Sequence, residues 1–170
     1  MVSLREGDLD GLVLKKGDSH SFVLSSPRGE FARLVFSRAA GPATAVTARG
    51  GWTFKRKGTL HPRVEIGREG VESPAAVFFL SAFGGGRVDF GPVEYVFKSH
   101  GSSNTAWELQ PEKTPIIRFE KKPDGLHVGI PQQSTCVDTL FLLILLGCYV
   151  LSVADEEAAM VAVMTAVMTI

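Results

Sequence analysis

Short runs of alternating apolar and polar residues occupy the chain from about residue 11 to 130, and turn residues separate them. A period of two is typical of strands with one buried face. SFVLSS and FARLVFS flank Pro27-Arg28-Gly29, and Pro123-Asp124-Gly125 precedes the alternating LHVGI. Pro fixes φ early in a turn and Gly accepts positive φ late in it, so both tripeptides predict hairpins. Ten or so short strands at regular spacing predict a closed antiparallel barrel or a sandwich.

Beyond Pro131 the pattern changes to a nearly uninterrupted apolar run over residues 139–154, bracketed by Asp138 and by Asp155-Glu156-Glu157. A helix that is apolar on every side is either a membrane span or the centre of a soluble protein. At about 1.5 Å per residue the run covers about 24 Å, short of the roughly 30 Å hydrocarbon core. We therefore predict a central hydrophobic helix over about residues 138–154. A short membrane-inserted C-terminal segment is the alternative.

The C-terminal extension, residues 155–170, reads DEEAAMVAVMTAVMTI. It predicts a second short helix with Asp155 as its cap, because acidic residues stabilise a first helical turn. Met160, Met164 and Met168 then share one face. That stripe favours packing against the barrel or a partner chain, so residues 156–170 are a candidate surface for a protein partner or for self-association.

The composition is that of an ordinary globular protein and predicts one domain over residues 1–170. Its 18 basic and 18 acidic residues balance, so no global field attracts nucleic acid, and we expect no nucleic-acid partner. Two cysteines, Cys136 and Cys148, offer no metal or disulfide framework. The N-terminal MVSLREGDLDG lacks the apolar core of a signal peptide. We expect a cytoplasmic protein, peripheral at a membrane if it binds lipid.

Four segments of the second half carry a family resemblance: EYVFK, AWELQ, PIIRFEKK and VDTLFLLILL. Over about residues 85–154 the chain resembles the tubby-like C-terminal superfamily, which includes the tubby, phospholipid scramblase and LURP-one-related proteins, and most of all small uncharacterised fungal tubby-like proteins. The resemblance implies a mainly β (α+β) fold, a closed antiparallel barrel of about twelve strands around a hydrophobic C-terminal helix. It also implies an intracellular module that binds phosphoinositides. Pro115 and residues 155–170 depart from the family pattern.

Basic residues concentrate between residues 49 and 68, with Glu65 as the one acidic residue among them. In GWTFKRKG, Arg56 follows the aromatic residues of one face, whereas Lys55 and Lys57 share the other face and could meet Arg63 across a hairpin. Such clusters bind anionic head groups, each basic residue being worth about 1 kcal/mol near an anionic surface. The predicted lipid-binding residues are Arg49, Lys55, Arg56, Lys57 and Arg63. The alternative is a solvated strand face protected by lysines.

No stretch of the sequence specifies a reaction. Neighbouring residues of a strand point to opposite faces, so Ser19-His20-Ser21 forms no local nucleophile–base pair. The four histidines have no ligand partners at metal-binding spacing, and Gly84-Gly85-Gly86 predicts a hairpin turn. Arg118, Lys121 and Lys122 beside the second turn predict a solubilising patch. We therefore expect a non-enzymatic protein with no cofactor, no metal and no catalytic residues.

Overall fold

Twelve strands and one helix make up the described part of the chain. The computed structural model describes residues 1, 11–18, 20–39, 41–81, 85–90, 93–99, 104–109, 113–131 and 137–168, with side chains for all of these except 104, 109 and 160–168. The elements are β1 (Leu12–Lys16), β2 (Ser21–Ser26), β3 (Gly29–Phe36), β4 (Ala43–Thr47), β5 (Gly50–Lys57), β6 (Arg63–Arg68), β7 (Ala76–Leu80), β8 (Gly86–Phe90), β9 (Val93–Ser99), β10 (Asn104–Leu109), β11 (Thr114–Lys122), β12 (Gly125–Gly129) and α1 (Val137–Met168).

The strands form a closed antiparallel barrel, as predicted. Each strand pairs with the next along the chain, and β1 closes the sheet against β12, with Leu12 opposite Val128. The predicted hairpins are confirmed as β2–β3 and β11–β12, and β7 pairs with β8 across the glycine turn, of which residue 84 lies outside the described residues. Pro115 is accommodated opposite Glu108, where the pairing register of β10 and β11 shifts. Such irregularities are where a sheet tolerates proline.

The strand ends define two mouths of the barrel. Odd-numbered strands end, and even-numbered strands begin, at the mouth through which α1 leaves; we call this the exit mouth. The β3–β4 connection, of which residues 37–39 and 41–42 are described, and the turn at residues 58–62 lie there. The opposite mouth carries the turn at residues 48–49, where Arg49 donates a hydrogen bond to Asp138 in the first turn of α1. The helix therefore runs through the barrel from one mouth to the other.

The first half of α1 is the core of the barrel. Residues 142–149 are all buried, and eight consecutive residues cover more than two turns, so every face of the helix contacts protein. Val137–Ala159 is long and apolar enough to cross a membrane, but 61% of its most apolar window is buried. The barrel wall therefore takes the place of lipid around this run, which confirms the predicted central helix.

The second half of α1 differs from the prediction. The helix does not end at residue 154, and Asp155 does not cap a separate helix, because α1 continues without interruption to Met168. The physical reason is local: no Gly or Pro occurs between residues 148 and 170, and Ala, Glu and Met are strong helix formers. The side chains of Met160, Met164 and Met168 lie outside the described ones.

Aromatic residues contact α1 at two levels along the barrel axis. Trp107 is fully buried and donates a hydrogen bond from Nε1 to the Leu143 carbonyl oxygen at 2.8 Å. Nearer the exit mouth, Tyr149 stacks between Phe36 and Phe54, with ring centroids 5.7 and 5.2 Å away. These contacts fix both the depth and the rotation of the helix.

Gly147→Ala should destabilise the protein, although helix propensity alone predicts the opposite sign. A Cβ at Gly147 would lie 2.4 Å from Phe119 Cζ and 3.0 Å from Trp107 Nε1. Alanine is about 1 kcal/mol better than glycine in a free helix, but overpacking of a core costs about 1–3 kcal/mol. Urea denaturation measures the sign of the change. A more stable variant would show that this face of α1 does not pack inside the barrel.

Candidate functional site

An open depression of about 760 Å³ lies at the exit mouth, between the β3–β4 and β5–β6 turns. Three basic side chains line it, Arg38 from the first turn and Arg56 and Lys57 from the end of β5. Glu157 of α1 faces them from the helix side. We call this site the basic depression; the remaining lining residues are Gly41, Pro42, Gly58, Thr59 and Pro62.

Strand alternation places the two β5 residues. Phe54 points inward and is fully buried, so Arg56, two residues on, is the next inward position and emerges at the mouth. It donates a hydrogen bond to Glu157 Oε1 at 2.5 Å. Lys57 points outward and forms an ion pair with Glu65 at 2.7 Å. Hydrogen bonding to Lys57 lowers the pKa of the Glu65 carboxyl, so that carboxyl is ionised at neutral pH.

The local charge of the depression is positive. Its lining holds three cations and one carboxylate, and Arg38 forms no ion pair with any residue that the structure describes. The side chains of Arg56 and Glu157 are 38% and 48% exposed. Exposed ion pairs contribute only about 0–1 kcal/mol each. An incoming phosphate can therefore share or replace these carboxylates at little cost.

The structure divides the predicted lipid-binding residues among three places. Lys57 and Arg63 are register partners across β5 and β6, as predicted, and both contact Glu65. Lys55 lies on the outer wall, directly opposite Glu65 in register. Arg49 is at the opposite mouth, paired with Asp138. Arg56 and Lys57 thus lie in the depression and Arg63 beside it, whereas Arg49 is separated from them by the length of β5.

Sequence reasoning missed Arg38. It lies eighteen residues before Arg56 in a segment without a basic cluster. The antiparallel β3–β4 and β4–β5 pairs bring the ends of β3 and β5 to the same mouth. The sequence could have indicated Arg38 only if both the β3–β4 and the β4–β5 hairpins had been predicted, because two successive hairpins return the chain to the same end of the sheet.

Three consecutive acidic residues of α1 bind three strands where the helix leaves the barrel. Asp155 pairs with Lys121 of β11 at 2.6 Å, Glu156 with Lys16 of β1 at 3.7 Å and Glu157 with Arg56 of β5 at 2.5 Å. Successive helical residues are turned by about 100°, so the three carboxylates point to different sides of the rim. Each of the three basic residues lies two positions after a buried, inward-facing residue of its strand, and therefore faces the interior of the barrel mouth. We call these three pairs the exit collar.

The described residues contain no cluster of three His, Cys, Asp or Glu side chains that could hold a metal ion. Burial raises the pKa of the Tyr149 hydroxyl to about 12 and raises the pKa of the Cys148 thiol, so both groups stay protonated at neutral pH. His127 lies 2.8 Å from Asp124, exposed beside the β11–β12 turn. Ser19 of the Ser19-His20-Ser21 segment and His100, one of the four histidines, lie outside the described residues.

Comparison with known proteins leaves the family resemblance as an expectation. No protein-family model, no curated protein and no solved structure matches the chain. The closed twelve-stranded barrel around an apolar C-terminal helix rests on the structure itself.

Proposed function

We propose that this protein is a non-enzymatic, tubby-like module that docks on a membrane surface through its exit mouth and binds anionic head groups, such as those of phosphoinositides, in the basic depression. One observation carries the proposal. Helix α1 leaves the barrel beside the basic depression and continues to Met168, and residues 158–170 include no charged residue. A positive rim around an uncharged projecting helix matches the charge profile of a bilayer surface.

The length of the projecting helix suits one leaflet. Residues 158–168 are helical, and eleven residues at about 1.5 Å each extend about 16 Å. Half of a roughly 30 Å hydrocarbon core is about 15 Å. The exit collar would then lie at the level of the head groups, where charged side chains remain hydrated.

The basic depression supplies the specificity for anionic lipid. Arginine guanidinium groups bind phosphate oxygens in bidentate fashion, and a lysine adds a compact charge. Arg38, Arg56 and Lys57 place both kinds of donor around one site that is open to solvent. A phosphorylated inositol ring offers several phosphates to such a set.

Vesicle co-sedimentation of the detergent-free protein tests the proposal. Vesicles of phosphatidylcholine with phosphatidylinositol bisphosphate should capture the protein more strongly than phosphatidylcholine alone. The difference should shrink as salt is raised, because the Debye length falls from about 10 Å at 0.1 M to about 3 Å at 1 M. Equal capture by both kinds of vesicle at every salt concentration would refute head-group recognition.

A protein-interaction module is the second candidate, favoured by the same projecting helix. An uncharged helix outside the barrel can pack on a second copy or another protein as well as on lipid. Deleting residues 158–170 separates the two candidates. Loss of the salt-resistant part of vesicle binding supports the membrane, whereas a change from oligomer to monomer in light scattering, with vesicle binding intact, supports the protein interface.

A further inference from the structure

We propose that the crevice between α1 and the β1, β11 and β12 strands binds a single-chain anionic amphiphile, with its alkyl chain inside the crevice and its phosphate or carboxylate on the lysines above. The crevice has a volume of about 540 Å³ and opens at the exit mouth. Ligand pockets typically have about 300–1,000 Å³. It lies on a different side of α1 from the basic depression and shares no lining residue with it.

The inner walls of the crevice are apolar. They come from both the barrel and the helix, and the residues are Leu14, Phe22, Phe119, Leu126 and Leu151. Ser152 faces the crevice from α1 and is 3% exposed. It is a small residue in a run of large apolar ones, so the helix does not fill the space that a leucine there would occupy. An alkyl chain gains free energy by leaving water for such a surface.

The outer rim of the crevice is basic. Four lysines line it, Lys15, Lys16, Lys121 and Lys122, against Asp124 and Asp155. An uncharged lipid makes no favourable electrostatic contact with this rim, whereas an anionic head group at the end of an alkyl chain contacts the lysines directly. Apolar depth and basic rim together select for an anionic amphiphile.

The rim lysines can exchange their present partners for a ligand. Lys121 and Asp155 are 60% and 58% exposed, so their pair is weak. Lys16 is 70% exposed and lies 3.7 Å from Glu156, which is 18% exposed, so the Lys16 ammonium is open to a ligand. Lys15 forms no ion pair with a described residue. The carboxylates of Asp155 and Glu156 therefore act as internal competitors that a phosphate displaces.

Isothermal titration calorimetry with dodecyl phosphate, kept below its micelle concentration, tests the site in solution without a bilayer. The crevice should bind one molecule of dodecyl phosphate, more tightly than the protein binds dodecyl phosphocholine or inorganic phosphate. Ser152→Phe places a ring in the crevice and should weaken binding about tenfold or more, since excluding two methylenes corresponds to about that factor. Replacing Arg38, Arg56 and Lys57 by glutamine should leave this affinity unchanged, because these residues line the other site.

Two further variants keep the test decisive if Ser152→Phe fails to fold. Lys16→Gln with Lys121→Gln leaves the crevice walls intact and should weaken dodecyl phosphate binding without affecting dodecyl phosphocholine. Asp155→Asn with Glu156→Gln removes the competitors and should tighten binding about threefold. Equal affinity for inorganic phosphate, or affinities unchanged in all these crevice variants, would overturn the proposal while leaving head-group binding at the basic depression untouched.

Discussion

Trp107→Ala should lower the free energy of unfolding by about 3–5 kcal/mol, the range for deleting a fully buried aromatic side chain. The ring packs on Phe97 and Phe78, with centroids 4.7 and 5.6 Å away, and its Nε1 binds the backbone of α1 at Leu143. Its loss opens a cavity between the wall and the central helix, where the surrounding strands cannot collapse. Urea denaturation followed by circular dichroism measures the effect.

The second tryptophan provides a matched control. Trp52 lies only partly buried, toward the opposite mouth, with the Arg68 guanidinium 4.6 Å from its ring centroid. Trp52→Ala removes the same side chain from a site that solvent can refill, so we expect a loss of about 1–2 kcal/mol. Equal losses for the two variants would contradict a wall-to-helix contact at Trp107.

The strands and the central helix could be predicted because their signals are local. Alternation along one strand and the nearly uninterrupted apolar run over residues 139–154 are both visible in a short stretch of sequence. The inward position of Arg56 follows from the same alternation, two residues after Phe54. The predicted end of α1 at residue 154 is wrong because the charged triplet Asp155-Glu156-Glu157 does not end the helix. Those charges instead bind the barrel rim while the backbone continues as helix.

The candidate site could be predicted only in part. Arg49 and Arg56 belong to one basic segment of the sequence, and the sequence therefore predicts that they share a site. Seven residues of extended strand at about 3.3 Å each nevertheless separate them by about 23 Å. Conversely, Arg38 and Glu157 reach Arg56 from distant parts of the chain. The strand pairing and the passage of α1 through the barrel determine which of these residues are near Arg56. That arrangement depends on the pairing of all twelve strands, which no local sequence pattern encodes.

Neutralising the basic depression should lower the affinity for phosphoinositide vesicles about 100-fold. Each basic residue near an anionic surface is worth about 1 kcal/mol, and three together amount to about 3 kcal/mol. The variant carries Arg38→Gln, Arg56→Gln and Lys57→Gln. Its fold should persist, because the Arg56–Glu157 pair is solvent-exposed and Glu65 keeps its contact with Arg63 when Lys57 is replaced.

The decisive measurement compares this variant with a matched one at the opposite mouth, carrying Arg28→Gln, Arg49→Gln and Lys113→Gln. Arg28 lies in the β2–β3 turn, Arg49 in the β4–β5 turn and Lys113 directly before β11, and all three positions are at that mouth. Both lose three positive charges, so any effect of net charge alone is the same in the two proteins. In co-sedimentation with phosphatidylinositol bisphosphate vesicles, only the depression variant should lose binding if the exit mouth faces the membrane. Equal losses in the two variants, or a loss confined to the opposite mouth, would contradict docking through the exit mouth.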